Sequence, residues 1–116
     1  MKNPVDHIRA WQDDFTAVRR DLHAHPELGF EEHRTARIVC ERLSAYGIEH
    51  HAGIGRTGIV AVIAGRRTDS GKSVGLRADM DALPMQEEND FAHKSRYDGR
   101  MHGCGHDGHT TMLLAK

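Results

Sequence analysis

Three histidines, a cysteine and an aspartate fall within eight residues, in His102-Gly103-Cys104-Gly105-His106-Asp107-Gly108-His109. Thiolate, imidazole and carboxylate are the donors that borderline divalent metals take, and the intervening glycines let the backbone turn tightly around one ion. Structural zinc sites usually show paired cysteines, so a lone cysteine with one or two histidines points to a catalytic or dinuclear site. Two other readings stand beside this one. The tract is a histidine-rich surface loop with a chance cysteine, or Cys104 is a thiol nucleophile with His106 or His109 as its base. Residues two apart in a glycine turn rarely reach nucleophile–base geometry, whereas a shared metal tolerates it. Metal is favoured.

Asp79-Met80-Asp81 is the second constellation. Alternation along a strand sends both carboxylates to the same side, and ligands in open α/β sheets bind beyond the carboxyl ends of strands. Acids there bind a metal or orient its ligands. Taken alone, the pair reads more simply as acids capping the next turn or pairing with Arg77. His23-Ala24-His25-Pro26-Glu27 is weaker still, because a spacing of two on a helix end does not put both imidazoles on one face; a structural role is favoured. Cys40 reads as a core residue, and His7, His33, His50, His51 and His93 as surface residues.

The elements that must position these groups are legible from periodicity. Ile8, Trp11, Phe15, Val18 and Leu22 draw one apolar stripe, predicting a single helix that opens at Asn3-Pro4 and stops near His25, ahead of Pro26. A second stripe through Thr35, Ala36, Val39, Cys40 and Leu43 ends at Gly47. Ile59-Val60-Ala61-Val62-Ile63-Ala64, bounded by Gly58 and Gly65, predicts a strand covered on both faces. Val74, Leu76 and Ala78 predict a second strand ending at Asp79-Met80-Asp81, and a shorter strand is expected at residues 48–51. Residues 84–101 read as an irregular loop, followed by a helix capped by Asp107 or a near neighbour. The expected class is α/β.

Composition narrows the function. The 116 residues fit one domain, and a net charge of −1 offers no basic patch for nucleic acid. No apolar run approaches the roughly 20 residues that span a bilayer, so no membrane role is expected. Two cysteines give no disulfide framework, and the start is polar, so a reduced cytoplasmic setting is the expectation. Ten histidines, scattered from His7 to His109, are many for this length.

Four ordered tracts resemble a known family. They are Arg19-Arg20-Asp21-Leu22-His23-Ala24-His25-Pro26-Glu27-Leu28-Gly29-Phe30-Glu31-Glu32, Gly55-Arg56-Thr57-Gly58, Gly75-Leu76-Arg77-Ala78-Asp79-Met80-Asp81-Ala82-Leu83-Pro84 and Met101-His102-Gly103-Cys104-Gly105-His106-Asp107-Gly108-His109. Together they look like the metal-dependent N-acyl-amino-acid amidohydrolases, the hippurate hydrolase and indole-acetyl-amino-acid hydrolase group of the co-catalytic metallopeptidases.

The resemblance implies an α/β/α zinc-exopeptidase-like catalytic domain, of which residues 1–116 are an incomplete N-terminal portion. It implies two divalent metals, zinc or manganese, with cobalt and nickel as further candidates. Cys104 and His106 match metal ligands, and Asp81 matches the acid beside the site and is the candidate catalytic residue. Asp79 falls where more distant relatives place a ligand histidine, a duty the cysteine takes over here. His102 and His109 match positions near the site. The substrate implied is a small N-acyl amino acid.

In that family the general-base glutamate, its metal-binding neighbour, two further histidine ligands and a lid domain used for dimerisation all lie downstream. The chain is therefore expected to supply part of a dinuclear site. The alternative is an inactive fragment that binds metal weakly or self-assembles through unpaired sheet edges. Where relatives often carry a Pro-Gly before the Met-His, this chain has Ser95-Arg96-Tyr97-Asp98-Gly99-Arg100.

Overall fold

The computed structural model describes residues 3–115. The predicted first helix is two: α1 (Pro4–Ala10) and α2 (Gln12–Ala24), divided at Trp11, whose φ of −106° and ψ of 7° leave the helical region. Asn3 caps α1 as expected, accepting a hydrogen bond from the Val5 N–H at 3.0 Å. The apolar stripe runs through the break, but Ile8 and Trp11 stay about half exposed while Val18 and Leu22 are buried. Burial therefore grips α2 and leaves α1 lying loosely at its head. α2 ends at His25, as Pro26 requires.

α3 (His33–Ala45) starts on a cap that no local motif announces. The Glu27 carboxylate accepts from the Arg34 N–H at 2.9 Å, from the Thr35 N–H at 2.6 Å and from the Thr35 hydroxyl at 2.7 Å. It thus satisfies donors of the first turn that have no partner within the helix and adds a negative charge at the positive end of the dipole. At the other end Gly47 takes φ +70°, with Gly47 N–H bonded to Ser44 C=O and Ile48 N–H to Leu43 C=O. This pair of bonds is a Schellman stop, at the predicted residue.

β1 (Glu49–Ile54) and β2 (Gly58–Val62) form an antiparallel hairpin with an irregularity between Ala52 and Ile54. β1 is the short strand expected near residue 48. Two expectations fail here. β2 is not covered on both faces, since Val60 and Val62 are exposed. Residues 74–79 carry no ladder pairing among the described residues, and Val74 and Leu76 are 86% and 60% exposed. Their sequence is that of a strand, but no other strand among the described residues pairs with them.

Residues 84–101 are irregular, as expected, and are closed at the base by a bridge in which Leu83 and Met101 exchange two backbone hydrogen bonds. α4 (His106–Leu114) follows Gly105, which takes φ +89° as its N-cap. Asp107 is not the cap; it sits inside the first turn and is buried. α2 packs on α4, and α3 packs on the hairpin. Val18, Leu22, Ala24, Pro26, Leu43 and Ala82 are the buried apolar residues among those described, and they are outnumbered by buried polar ones. The architecture is α/β, with a polar interior where α2, α4 and the irregular segment meet.

Candidate metal centre

Asp79 and Asp81 lie two apart on one extended stretch, and their carboxylates reach the same side, as alternation requires. Between them they address both nitrogens of one imidazole. Asp81 Oδ1 lies 2.8 Å from His106 Nδ1, and Asp79 Oδ2 lies 3.3 Å from His106 Nε2. Asp79 Oδ1 also takes a hydrogen bond from His109 Nδ1 at 2.7 Å, and its backbone carbonyl accepts from Thr110 Oγ1 at 2.8 Å. The first turn of α4 therefore docks on the Asp79 backbone and side chain together. His106 and His109 stack at 5.4 Å between ring centroids.

The backbone under Asp81 is fixed from the other side. Ala82 N–H donates to the Glu27 carbonyl at 2.8 Å, so the residue that caps α3 also anchors the acidic stretch. Glu32, buried, accepts from Phe30 N–H at 2.8 Å and from the Thr57 hydroxyl, tying the hairpin turn to the same loop. Arg34 grips Asp21 with two parallel hydrogen bonds of 3.0 and 2.9 Å, which closes α3 onto α2.

The Asp79 carboxyl titrates below its ordinary value. The hydrogen bond from His109 is the main cause; partial burial opposes it, and the charges of His106 and His109 assist. Asp79, His106 and His109 each offer a ligand atom within 4.8 Å of the others, the group of that kind found among the described residues. The donor chemistry fits a divalent cation. A histidine that donates Nδ1–H to a carboxylate presents Nε2 as a lone pair, which is how metal-binding histidines are held.

Cys104 is exposed on the glycine turn two residues before His106 and lies outside that three-residue group. Asp81 sits behind His106, partly exposed. The structure thus brings Asp81 and His106 into direct contact, with Asp79 and His109 beside them. The resemblance placed His109 near the site without making it a ligand; its spacing of three from His106, one helical turn, brings the two together.

Behind the centre lies a buried polar layer: the sequence favoured a structural role for His23 but did not give its partners, Asp107 and Glu87. His23 is set between two carboxylates, with Nδ1 2.9 Å from Asp107 Oδ2 and Nε2 2.9 Å from Glu87 Oε2. Arg19 reaches the same Asp107 oxygen at 3.3 Å. Burial raises the Glu87 pKa, but hydrogen bonds from His23, Asn89 and the Ser95 N–H outweigh it and bring it down to about 2. His102 is 4% exposed and neither ring nitrogen has a partner among the described residues; burial pushes its pKa down. Position was a further signal: His23 follows Leu22, the deepest residue of the stripe.

The model of peptidase family M20/M25/M40 matches residues 75–116, the stretch that carries Asp79, Asp81, Cys104 and His106. The hippurate hydrolase of Campylobacter jejuni is 46% identical over 112 residues, covering 97% of this chain and 29% of the relative. An N-acyl-L-amino acid amidohydrolase of Geobacillus stearothermophilus is 47% identical over 114 residues, covering 98% and 30%. The solved Bacillus subtilis YXEP protein, described as a dinuclear metal binding peptidase from the M20 family, superposes with a TM-score of 0.78. It is 39% identical, and the match covers 91% of this chain and 29% of that one. The chain thus spans less than a third of the length of these relatives. Over nearly all of its residues the chain is similar in sequence and fold to these proteins, and residues 75–116 match the model of peptidase family M20/M25/M40.

Proposed function

We propose that this chain supplies one wall of a two-metal site that hydrolyses the amide bond of small N-acyl amino acids, residues beyond position 116 supplying the rest. The observation that carries the reading is the Asp81–His106 contact of 2.8 Å, which fixes the imidazole with Nε2 toward Asp79. His106 and Cys104 are the proposed ligands, with the Asp79 carboxylate as the adjacent oxygen donor. The metals are zinc or manganese in this reading. When bound, they supply Lewis acidity toward the scissile carbonyl and acidify a water.

The chain's own residues do the positioning. Asp81 accepts the Nδ1 proton and thereby holds His106 in one tautomer and one ring orientation. His109 and Thr110 hold Asp79 by its side chain and its carbonyl, so that this acid faces His106. The relatives' names, hippurate hydrolase and N-acyl-L-amino acid amidohydrolase, are the support for the substrate class. The test is hydrolysis of a panel of N-acyl amino acids, hippurate included, by the intact protein loaded with Zn²⁺ or Mn²⁺. Turnover that EDTA abolishes and metal restores is expected; no turnover on any member of the panel would refute it.

A further inference from the structure

The histidine that the centre does not use is the most heavily constrained side chain behind it. His23 comes from α2, 5% exposed at its side chain, and both of its ring nitrogens lie 2.9 Å from carboxylate oxygens that are themselves buried. Each end of this one imidazole therefore meets a buried carboxylate, one from α4 and one from the segment after the acidic stretch. Arg19 reaches the same Asp107 oxygen at 3.3 Å, so a positive guanidinium joins the cluster. A neutral core residue would fill this space without that arrangement. Buried ionic groups are weak stabilisers of a fold, and their best-attested use is to select one register of packing over others.

What His23 joins explains the selection. Asp107 is the residue after His106, in the first turn of α4, a helix whose N-cap Gly105 provides no side-chain hydrogen bond. Glu87 follows the acidic stretch at 79–81 and is further held by the Ser95 N–H at 2.6 Å and Asn89 Nδ2 at 2.9 Å. One imidazole therefore ties the segment after Asp79 and Asp81 to the helix turn that carries His106. We propose that His23 is a positioning residue whose two hydrogen bonds, to Asp107 and Glu87, set the first turn of α4 in register with the acidic stretch and so hold His106 against Asp81. The inference rests on the proposed metal reading for its consequence, but not for its geometry.

The experiment compares wild type with His23→Gln, which keeps bulk and polarity but cannot reach both carboxylates. His106→Ala and Val18→Ala serve as controls in the same protein. Zn²⁺ affinity is measured by chelator competition, and histidine ring ¹⁵N NMR is recorded without metal. In His23→Gln the Zn²⁺ affinity is expected to fall about tenfold or more, the loss typical of disturbed metal-ligand orientation. The hydrogen-bonded Nδ1–H signal of His106 is expected to vanish. Val18→Ala, an apolar truncation on the same helix, should lower the melting temperature and leave both readouts unchanged. A folded His23→Gln with Zn²⁺ affinity within twofold of wild type and an intact His106 signal would overturn the proposal.

If His23→Gln does not fold, Glu87→Gln takes its place, since it keeps an acceptor for Nε2–H and removes one charge. A partial loss of the His106 signal is then expected, and no change would again overturn the idea. If wild type binds no Zn²⁺, or His106→Ala binds it equally well, the metal reading fails. The His106 ring signal then decides the positioning claim by itself.

Discussion

His106 has its two ring nitrogens addressed by two carboxylates of different roles, one orienting the ring and one facing the nitrogen left for a metal. Replacing Asp81 with asparagine keeps the shape but removes the charge that fixes the tautomer. Metal affinity of Asp81→Asn is expected to drop about 10–100-fold, measured by competition with a chromophoric chelator; an unchanged affinity would show that Asp81 does not orient the ring. Asp81, Cys104 and His106 were singled out in the sequence because their spacing and motif are local, and the structure brings Asp81 and His106 into contact. Asp79 was visible as one of a pair, but its bond to His109 depends on how α4 docks on the extended stretch. His23, Glu87 and Asp107 are 64 and 84 positions apart in chain and meet only through packing, which no local pattern encodes.

Elements were predicted best where a stop is chemical. Gly47 and Pro26 ended helices where they should, because φ > 0 and the constraint before proline act on one residue at a time. The start of α3 was not legible, since its cap, Glu27, lies outside the helix and reaches it by its side chain. Glu27→Ala is expected to cost about 1–2 kcal/mol, by analogy with the loss of an N-cap, and to lower the melting temperature. A melting temperature unchanged by that substitution would mean that the cap contributes nothing. At Gly47 an added Cβ meets no atom within 4 Å, so Gly47→Ala should cost only the left-handed backbone strain, about 1–2 kcal/mol. A larger loss in denaturant titration would reveal a packing role the open surroundings do not suggest.

Across the whole molecule the class, α/β, was readable from the order of periodic segments, but the sheet was not. A strand-like sequence at 74–78 stays unpaired, and β2 keeps an exposed apolar face, because a sheet needs neighbours that local alternation cannot supply. If the alternative reading holds and the chain self-assembles through these exposed residues, light scattering would show a mass that rises with concentration; a monomer at every concentration would remove that reading. The buried charge layer makes a separate demand on pH. Glu87 is depressed from 4.5 to about 2, so the stability it contributes is present above about pH 4.5 and lost as pH falls toward 2. Acid unfolding followed by circular dichroism should therefore shift less in Glu87→Gln than in wild type between those limits. An equal shift would contradict the assignment.

The central claim is that His106, oriented by Asp81 and facing Asp79, binds a divalent metal together with Cys104. A Co²⁺ titration followed by absorption tests it most directly, because cobalt reports its ligands in the visible and a thiolate ligand adds a charge-transfer band in the near ultraviolet. The account predicts a saturable spectrum whose near-ultraviolet band disappears in Cys104→Ser and whose affinity falls by about two orders of magnitude in His106→Ala. A spectrum indifferent to both substitutions would contradict it.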